Sequence, residues 1–193
     1  MRTTLIVALL AFSACPAAAQ EQGRANPGST APAVQHPSDA GIMTTRRPVG
    51  RVDKGDRAPD FELQSADGPR VRLSKLRGGW VAMCFCGHGE ALADADSLAR
   101  SMPDVHFAVV AVSGQRVQSL HKWANARGSH IVLLADPTND VAALYGMIDP
   151  EHDIPRLGFV LVDPTGIVHT CVQGRRLPPA EASRIVQYAV TGS

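Results

Sequence analysis

From about residue 51, apolar and polar positions alternate in the manner of short strands separated by helices. Phe61–Ser65 and Val71–Leu73 alternate apolar with polar side chains on either side of Ala66-Asp67-Gly68. Because Asp-Gly favours a tight turn between paired strands, this stretch predicts an N-terminal β-hairpin. The run Trp80–Cys86 is continuously apolar. Such a run is typical of a strand that is buried on both faces.

Helical spacing alternates with apolar runs through the rest of this region. Leu92, Ala95 and Leu98 recur at three-residue intervals and predict a helix directly after the first buried strand. The other predicted elements are a strand at 106–112, a helix from Val117 to near Gly128, a strand at 131–134, a short helix at 141–145, a hairpin of 158–162 and 167–172, and a helix from Pro178 to about Val190. Pro is tolerated in the first turn of such a helix.

This order of elements predicts an α/β protein, a three-layer α/β/α sandwich with a mixed sheet and an N-terminal β-hairpin. It is similar to the order of elements in thioredoxin-like folds. Ligands of such sheets bind beyond the carboxyl ends of the parallel strands. The first buried strand ends at Cys86, and Gly87 to Glu90 follow it. We therefore expect the chemistry of the protein at this edge.

Charge and cysteine content narrow the classes of function. The 193 residues include 19 Lys and Arg and 18 Asp and Glu, which gives a formal net charge of +1. This balance provides no electrostatic reason to expect nucleic acid as a partner, because nucleic-acid binders usually carry a basic face. Four cysteines are too few for a disulfide-rich scaffold.

Residues 1–19 are interpreted as a secretory signal peptide. One positive charge precedes the apolar run Leu5–Phe12, and Ala17 to Ala19 form an Ala-x-Ala cleavage site. We predict a periplasmic or secreted bacterial protein, cleaved after Ala19. No transmembrane helix is expected, because the run is far shorter than the roughly 20 residues that span a bilayer. In the alternative interpretation Cys15 belongs to a weak lipobox, and its lipidation would anchor a lipoprotein.

Residues 20–50 are predicted to be a disordered linker, and residues 51–193 a single folded domain. Proline, glycine and small polar residues dominate the linker, which contains no aromatic residue. Such a segment cannot bury enough apolar surface to offset the cost of ordering it. Removal of the first 19 residues leaves three cysteines, Cys84, Cys86 and Cys171.

Four stretches of the domain carry a resemblance to a known family. They are Gly55–Leu63, Asp67-Gly68 with Val71–Gly78, Leu133–Pro137 with Val141–Gly146, and Arg156–Gly166. Together they resemble the peroxiredoxin or redoxin group, also called the alkyl hydroperoxide reductase and thiol-specific antioxidant group. The resemblance implies a redoxin domain with thiol-dependent antioxidant or oxidoreductase activity, and a peroxide and a thiol reductant as partners. It also implies that Arg156 helps to bind a peroxide and to stabilise a thiolate.

The chain departs from this family at the catalytic residues. Peroxiredoxins place Pro, Thr and the peroxidatic Cys in the loop and helix start after the first buried strand. A gapless match of that strand puts these three roles at Gly87, Ala91 and Asp94. The Cys-x-x-Cys motif of thioredoxins is also missing. A carboxylate cannot attack a peroxide O–O bond as a thiolate does.

Cys86 is therefore the candidate nucleophile, with Arg156 as its candidate activator. Cys86 ends its strand beside the next helix, whose partial positive charge would lower the thiol pKa if the sulfur is exposed to it. Cys84 shares its face and is interpreted as a buried apolar residue. A disulfide between these two is disfavoured, because same-face neighbours on a strand are about 6.5 Å apart. One strand is expected to separate Cys171 from the Cys86 strand, and two interstrand spacings of about 4.8 Å are too far for direct pairing.

His88, Glu90 and His152 are expected at the same edge. With Cys86 they would offer a soft-metal site, since Cys and His suit Cu(I) or Zn. The Cys-x-Cys spacing differs from the Cys-x-x-x-Cys loop of the copper-chaperone branch, so we predict no metal and no cofactor. Three functions stay open: a divergent thiol peroxidase or oxidoreductase that uses Cys86, a catalytically degenerate binding module, and a Cu- or Zn-binding protein.

Overall fold

The computed structural model describes residues 49–102, 107–129 and 131–192. The predicted signal peptide, Cys15 and the predicted linker up to residue 48 lie outside the described residues. The strands are β1 (Glu62–Ser65), β2 (Arg70–Arg72), β3 (Trp80–Cys86), β4 (Phe107–Ser113), β5 (Val132–Ala135), β6 (Ile148–Asp149), β7 (Ile154–Pro155), β8 (Gly158–Val162) and β9 (Val168–Gln173). The helices are α1 (Glu90–Ser101), α2 (Val117–Arg127), α3 (Asp140–Leu144) and α4 (Pro179–Thr191), with a 3₁₀ helix at Leu73–Leu76.

Seven strands form one mixed sheet in the order β2-β1-β5-β4-β3-β8-β9. β3 and β5 run parallel to β4 on either side of it. β8 is antiparallel to β3, and β9 is antiparallel to β8. β1 and β2 form an antiparallel hairpin that joins the sheet beside β5. The predicted α/β fold, with its mixed sheet and N-terminal hairpin, is confirmed.

The central strand β3 shows why its sequence is apolar throughout. Its side chains alternate between the two faces of the sheet, and both faces are covered. Val81 and Met83 enter an apolar cluster with α3, the 3₁₀ helix and the segment before β1. Ala82 and Cys86 enter a second cluster with α1, α2 and α4. The sheet is therefore the middle layer of three.

The predicted boundaries differ from the observed ones by a few residues. The second buried strand covers Phe107–Ser113, and its start at His106 lies outside the described residues. Contacts of the domain begin just before residue 51, since the Gly50 N–H donates to the Ala143 carbonyl at 2.8 Å. Among the described residues, no helix has the length and apolar character that a membrane crossing requires.

A two-stranded ribbon of β6 and β7 was not predicted from the sequence. It pairs Ile148 with Pro155 and Asp149 with Ile154. Two-residue strands are too short to produce a recognisable periodicity. The ribbon leads directly into β8, and the Arg156 N–H donates to the Met147 carbonyl at 2.8 Å. It therefore fixes the backbone of Arg156 at the edge of the sheet.

Candidate active site at the carboxyl edge of the sheet

The chain passes from β3 to α1 through Gly87, His88 and Gly89. The hydroxyl of Ser113 donates to the Gly87 carbonyl at 2.8 Å, and the Gln115 amide donates to the same oxygen at 3.1 Å. Gly89 has a φ of 53°, a backbone conformation that favours glycine. The end of β4 thus holds this junction, which gives Cys86 and the first turn of α1 defined positions.

Cys86 is buried, and its thiol faces carbonyl oxygens. The residue is 8% exposed, and its Sγ lies 3.4 Å from the Cys84 carbonyl and 3.3 Å from the Ala91 carbonyl. Burial, followed by the charges of Cys84 and Asp94, raises the pKa of the Cys86 thiol well above its ordinary value. Carbonyl acceptors also favour the protonated thiol. The pKa is therefore raised, and not lowered as a helix N-terminus beside an exposed thiol would have it.

Cys84 and Cys171 lie on opposite faces of the sheet. Burial, with a further effect of Asp94, raises the pKa of the Cys84 thiol to about 12. Cys171 packs against the other apolar cluster, and burial raises its thiol pKa too. β8 separates β9 from β3, as expected. The three described cysteines are free thiols.

Asp94, which the gapless sequence match places at the peroxidatic position, pairs with Arg176 of the β9–α4 connection. Arg176 Nε donates to Asp94 Oδ2 at 2.5 Å, and Nη2 donates to Oδ1 at 3.0 Å. Its Nη1 donates to Glu90 at 2.7 Å. The hydrogen bonds that Arg176 donates to Asp94, and the charges of both carboxylates, raise the pKa of Arg176. Sequence reasoning missed Arg176, because no local pattern connects two residues 82 positions apart.

Arg156 also pairs with a carboxylate, at the β6–β7 ribbon. Its Nη2 donates to Asp149 Oδ2 at 2.7 Å. The other oxygen, Oδ1, accepts the Glu151 N–H at 2.8 Å and lies 3.2 Å from His152 Nδ1. The Arg156 hydrogen bond, more than the others, holds the pKa of Asp149 well below its usual range. The guanidinium of Arg156 is thus already neutralised by a carboxylate.

Two small cavities flank Cys86 on either side of the junction. The first, of about 30 Å³, is lined by Cys84, Cys86, Asp94 and Arg176 among others. The second, of about 20 Å³, lies between Cys86 and Arg156. Each is large enough for about one or two water-sized molecules. Cys86 and Arg156, the two predicted site residues, therefore line one common cavity. The raised pKa of Cys86 disfavours its thiolate, and the guanidinium of Arg156 is already paired with Asp149.

Asp136 also lines the second cavity, and sequence reasoning did not single it out. Its carboxylate accepts the N–H groups of Asp140 at 3.0 Å and Ala142 at 2.9 Å, at the start of α3. Burial raises the pKa of Asp136, against the lowering effect of these N–H donors. In the sequence, Asp136 comes directly after β5 and directly before Pro137. This position could have predicted a carboxylate that caps the next helix.

The structure does not bring Cys86, His88 and His152 into a metal site. Within the described ranges, no group of three or more His, Cys, Asp or Glu side chains is placed to hold a metal ion. His152 instead lies beside Asp149 in the loop of the ribbon. Glu90 begins α1 and pairs with Arg176.

Solved structures with a similar architecture include peroxidases and a putative protein disulfide isomerase from Bacteroides thetaiotaomicron. The chain is similar to the crystal structure of peroxidoxin BcpB from Mycobacterium tuberculosis, with a TM-score of 0.63 and 22% identity over 72% of this chain and 97% of that one. It is also similar to a thiol peroxidase from Chromobacterium violaceum, with a TM-score of 0.61 and 18% identity over 76% and 93%. At such identities the likeness shows the thioredoxin-like fold alone.

Sequence relatives define the family within that fold. A family model, AhpC/TSA family, matches residues 54–170, more than half of the chain. The selenocysteine-containing peroxiredoxin PrxU of Peptoclostridium acidaminophilum is 32% identical over 133 residues, 61% of this chain and 66% of that one. Peroxiredoxin 2 of Thermoplasma acidophilum is 27% identical over 143 residues, 67% and 69%. The chain belongs to the AhpC/TSA family, the peroxiredoxin and redoxin group. It spans about two thirds of the length of these relatives.

Proposed function

We propose that this family member is a binding module that has lost the peroxidatic reaction of its relatives. The observation that carries the proposal is the pairing of Asp94 with Arg176. The side chain at the peroxidatic position is a carboxylate, and two of its hydrogen bonds come from one guanidinium. A carboxylate held in this way stabilises the contact between α1 and the β9–α4 connection, and it supplies no nucleophile for a peroxide.

The environment of the thiols supports the proposal. A thiol with a pKa of about 12, as at Cys84, is ionised in only about one molecule in 10⁵ at pH 7. Cys84 is half-buried, whereas Cys86 is buried, and the pKa of the Cys86 thiol is raised in the same direction. Because the thiolate is the reactive form, both sulfurs are poor nucleophiles in this structure. The binding surface is proposed to be the carboxyl edge of the sheet, where related α/β sheets bind their ligands.

Peroxide turnover by the reduced mature domain tests this proposal. The measurement is hydrogen peroxide consumption with an excess of thiol reductant, together with mass spectrometry after trapping of sulfenic acid. We expect no turnover above the background of the reductant and no trapped adduct on Cys86. Multiple turnovers that disappear in Cys86→Ala, and persist in Cys171→Ala, would overturn the proposal.

A second candidate is a residual thiol oxidoreductase that uses Cys86. It is favoured by one observation, the cavity that Cys86 and Arg156 line together. In that case the Arg156→Gln and Cys86→Ala variants should each lose the same thiol-dependent activity. If only Cys86→Ala loses it, the common cavity is not the site of the reaction.

We also propose that the domain functions in the periplasm or outside a bacterial cell. The proposal rests on the sequence of residues 1–19, with their apolar run and Ala-x-Ala site. Cell fractionation and the intact mass of the mature protein test it. A mature chain that starts at Gln20 would support secretion, whereas a lipid-modified Cys15 would support the lipoprotein alternative. A cytoplasmic protein that retains Met1 would contradict both.

A further inference from the structure

Residues 174–178 join β9 to α4, and we refer to them as the strap. Arg175, Arg176 and Leu177 of the strap line the first cavity together with Cys84 and Cys86. Part of the wall between these two thiols and the solvent is therefore formed by the strap. The thiols themselves lie on β3, an interior strand that β8 separates from β9.

Side chains, rather than backbone pairing, attach the strap to the rest of the domain. In the described structure, the N–H groups of Arg175, Arg176 and Leu177 donate to no backbone carbonyl. Gly174 begins the strap with a φ of 74°, and a Cβ added there would meet nothing within 4 Å. The strap thus starts at a residue with wide conformational freedom.

Arg176 provides the ionic attachment of the strap to α1. It pairs with Asp94, whose side chain is 17% exposed, and also with the exposed Glu90. Arg175 pairs instead with Glu181, which belongs to α4, so it does not connect the strap to α1. Leu177 adds apolar packing. A two-bond pair of a guanidinium with a partly buried carboxylate is stronger than a single surface ion pair, yet it remains sensitive to salt.

We propose that the strap is a cover over Cys84 and Cys86, and that the Arg176–Asp94 pair is its latch. While the pair is closed, small thiol reagents do not reach the buried Cys86, and their access to the half-buried Cys84 is restricted. When the pair breaks, the strap moves away from α1 and the thiols become a modification site for small, uncharged electrophiles. This inference goes beyond the proposed function, because it concerns access to the thiols and requires no peroxide turnover.

Alkylation of the folded full-length protein by N-ethylmaleimide tests the latch, with Cys86 and Cys84 quantified by peptide mass spectrometry. In Arg176→Gln we expect the buried Cys86 to react about tenfold faster, and the half-buried Cys84 to gain less. Added salt should speed alkylation in the wild type and have little effect in Arg176→Gln. Asp94→Asn breaks the same pair from the other side and should reproduce the result.

The matched control is Arg100→Gln. Arg100 pairs with Asp96 of the same helix at 2.8 Å, and the Asp96 side chain is 14% exposed, close to the exposure of Asp94. Equal acceleration in Arg100→Gln would overturn the proposal. Cys171, on the opposite face of the sheet, serves as an internal reference. A parallel rise at Cys171 would overturn it too, because general loosening rather than the strap would then control access.

Discussion

The β3–α1 junction and the approach to β8 lie at the same edge of the sheet, but they keep different parts of the family pattern. The junction has Gly87, Ala91 and Asp94 where the resemblance calls for Pro, Thr and Cys. The approach to β8 keeps Arg156. Side-chain hydrogen bonds to the Gly87 carbonyl hold the junction, a backbone hydrogen bond holds Arg156, and apolar residues pack nearby. The difference between the two regions teaches that this fold needs the backbone pairing and the core, and not the catalytic side chains.

The arginines of the two regions differ in what they connect. Arg156 pairs with Asp149, seven residues earlier in the same loop. Arg176 pairs with Asp94 across 82 residues and connects two separate elements. One carboxylate neutralises the arginine that the resemblance assigns to peroxide binding, and the other pairs with an arginine of the strap.

The largest effect is expected from Asp94→Cys, which restores a thiol to the junction. Arg176 would then lie beside that thiol and favour its charged form, as opposite charges within a few ångströms do. We expect the new cysteine to form sulfenic acid with hydrogen peroxide about a hundredfold faster than Cys86, since a neighbouring cation lowers a pKa by about one to three units. Trapping of sulfenic acid and peptide mass spectrometry provide the two rates.

Asp94→Ser is the matched control for this substitution, because it shortens the side chain in the same way without a thiol. In the double variant Asp94→Cys/Arg176→Gln the advantage should shrink. If the introduced cysteine reacts no faster than Cys86, the junction has lost more than its nucleophile, and the contrast between the two regions would need another explanation.

An intermediate effect is expected from a pair of glycine substitutions, one in each region. A Cβ at Gly158 of β8 would contact the Met147 sulfur and lie 2.9 Å from the Val172 carbonyl oxygen. We expect Gly158→Ala to lower the free energy of unfolding by about 2 kcal/mol, as overpacking does. At Gly87 a Cβ would meet nothing within 4 Å. Gly87→Ala should leave stability unchanged or raise it by about 0.5 kcal/mol.

Urea unfolding of both variants measures these two values. The difference between them, rather than either value alone, tests whether the β8 region is packed more tightly than the junction. Equal stabilities would show that the crowding at Gly158 relaxes without cost.

The smallest effect is expected for the pH dependence that Asp149 contributes. Its pKa is lower in the folded state than in the unfolded chain, so its pairing with Arg156 stabilises the fold above about pH 4. That contribution is lost as the pH falls through the folded-state pKa. The buried Asp136 has a raised pKa and therefore the opposite sign, since its contribution decreases as the pH rises.

Urea midpoints between about pH 2.5 and pH 7 check this prediction. Asp149→Asn should flatten the acid side of the profile slightly, whereas Asp67→Asn, an exposed carboxylate in the turn of the first hairpin, should not. If the pH profile of Asp149→Asn is the same as that of the wild type, Asp149 does not contribute to stability in acid and the prediction is wrong.

Local patterns in the sequence were sufficient for most of the fold. Burial can be predicted from the apolar run of β3 and from the spacing of Leu92, Ala95 and Leu98. The spacing of apolar residues along a strand or helix follows from which of its faces are buried. The Asp-Gly turn of the first hairpin is a local preference of the backbone as well. The β6–β7 ribbon was missed, since two residues per strand carry no period.

The site was less predictable, because its character depends on contacts between distant residues. The position of Cys86 at the end of β3 follows from the sequence, but the orientation of its thiol toward carbonyl oxygens does not. Arg156 was identified by resemblance. Its partner Asp149 belongs to the β6–β7 ribbon, which the sequence did not predict, so the pair was not expected. Arg176 has no sequence signal at all, since its partner lies on another element.

Cys171 lies on the face of the sheet opposite to Cys84 and Cys86, and this position constrains the order of folding and cysteine oxidation. With β8 between β9 and β3, the register places Cys171 two strand spacings, or roughly 10 Å, from Met83, and Cys86 lies three residues further along β3. In the unfolded chain nothing separates them. A cross-link made before folding would therefore join residues that the native sheet keeps on different sides. In oxidising surroundings, the order of events decides the yield: the domain has to fold before its cysteines are oxidised.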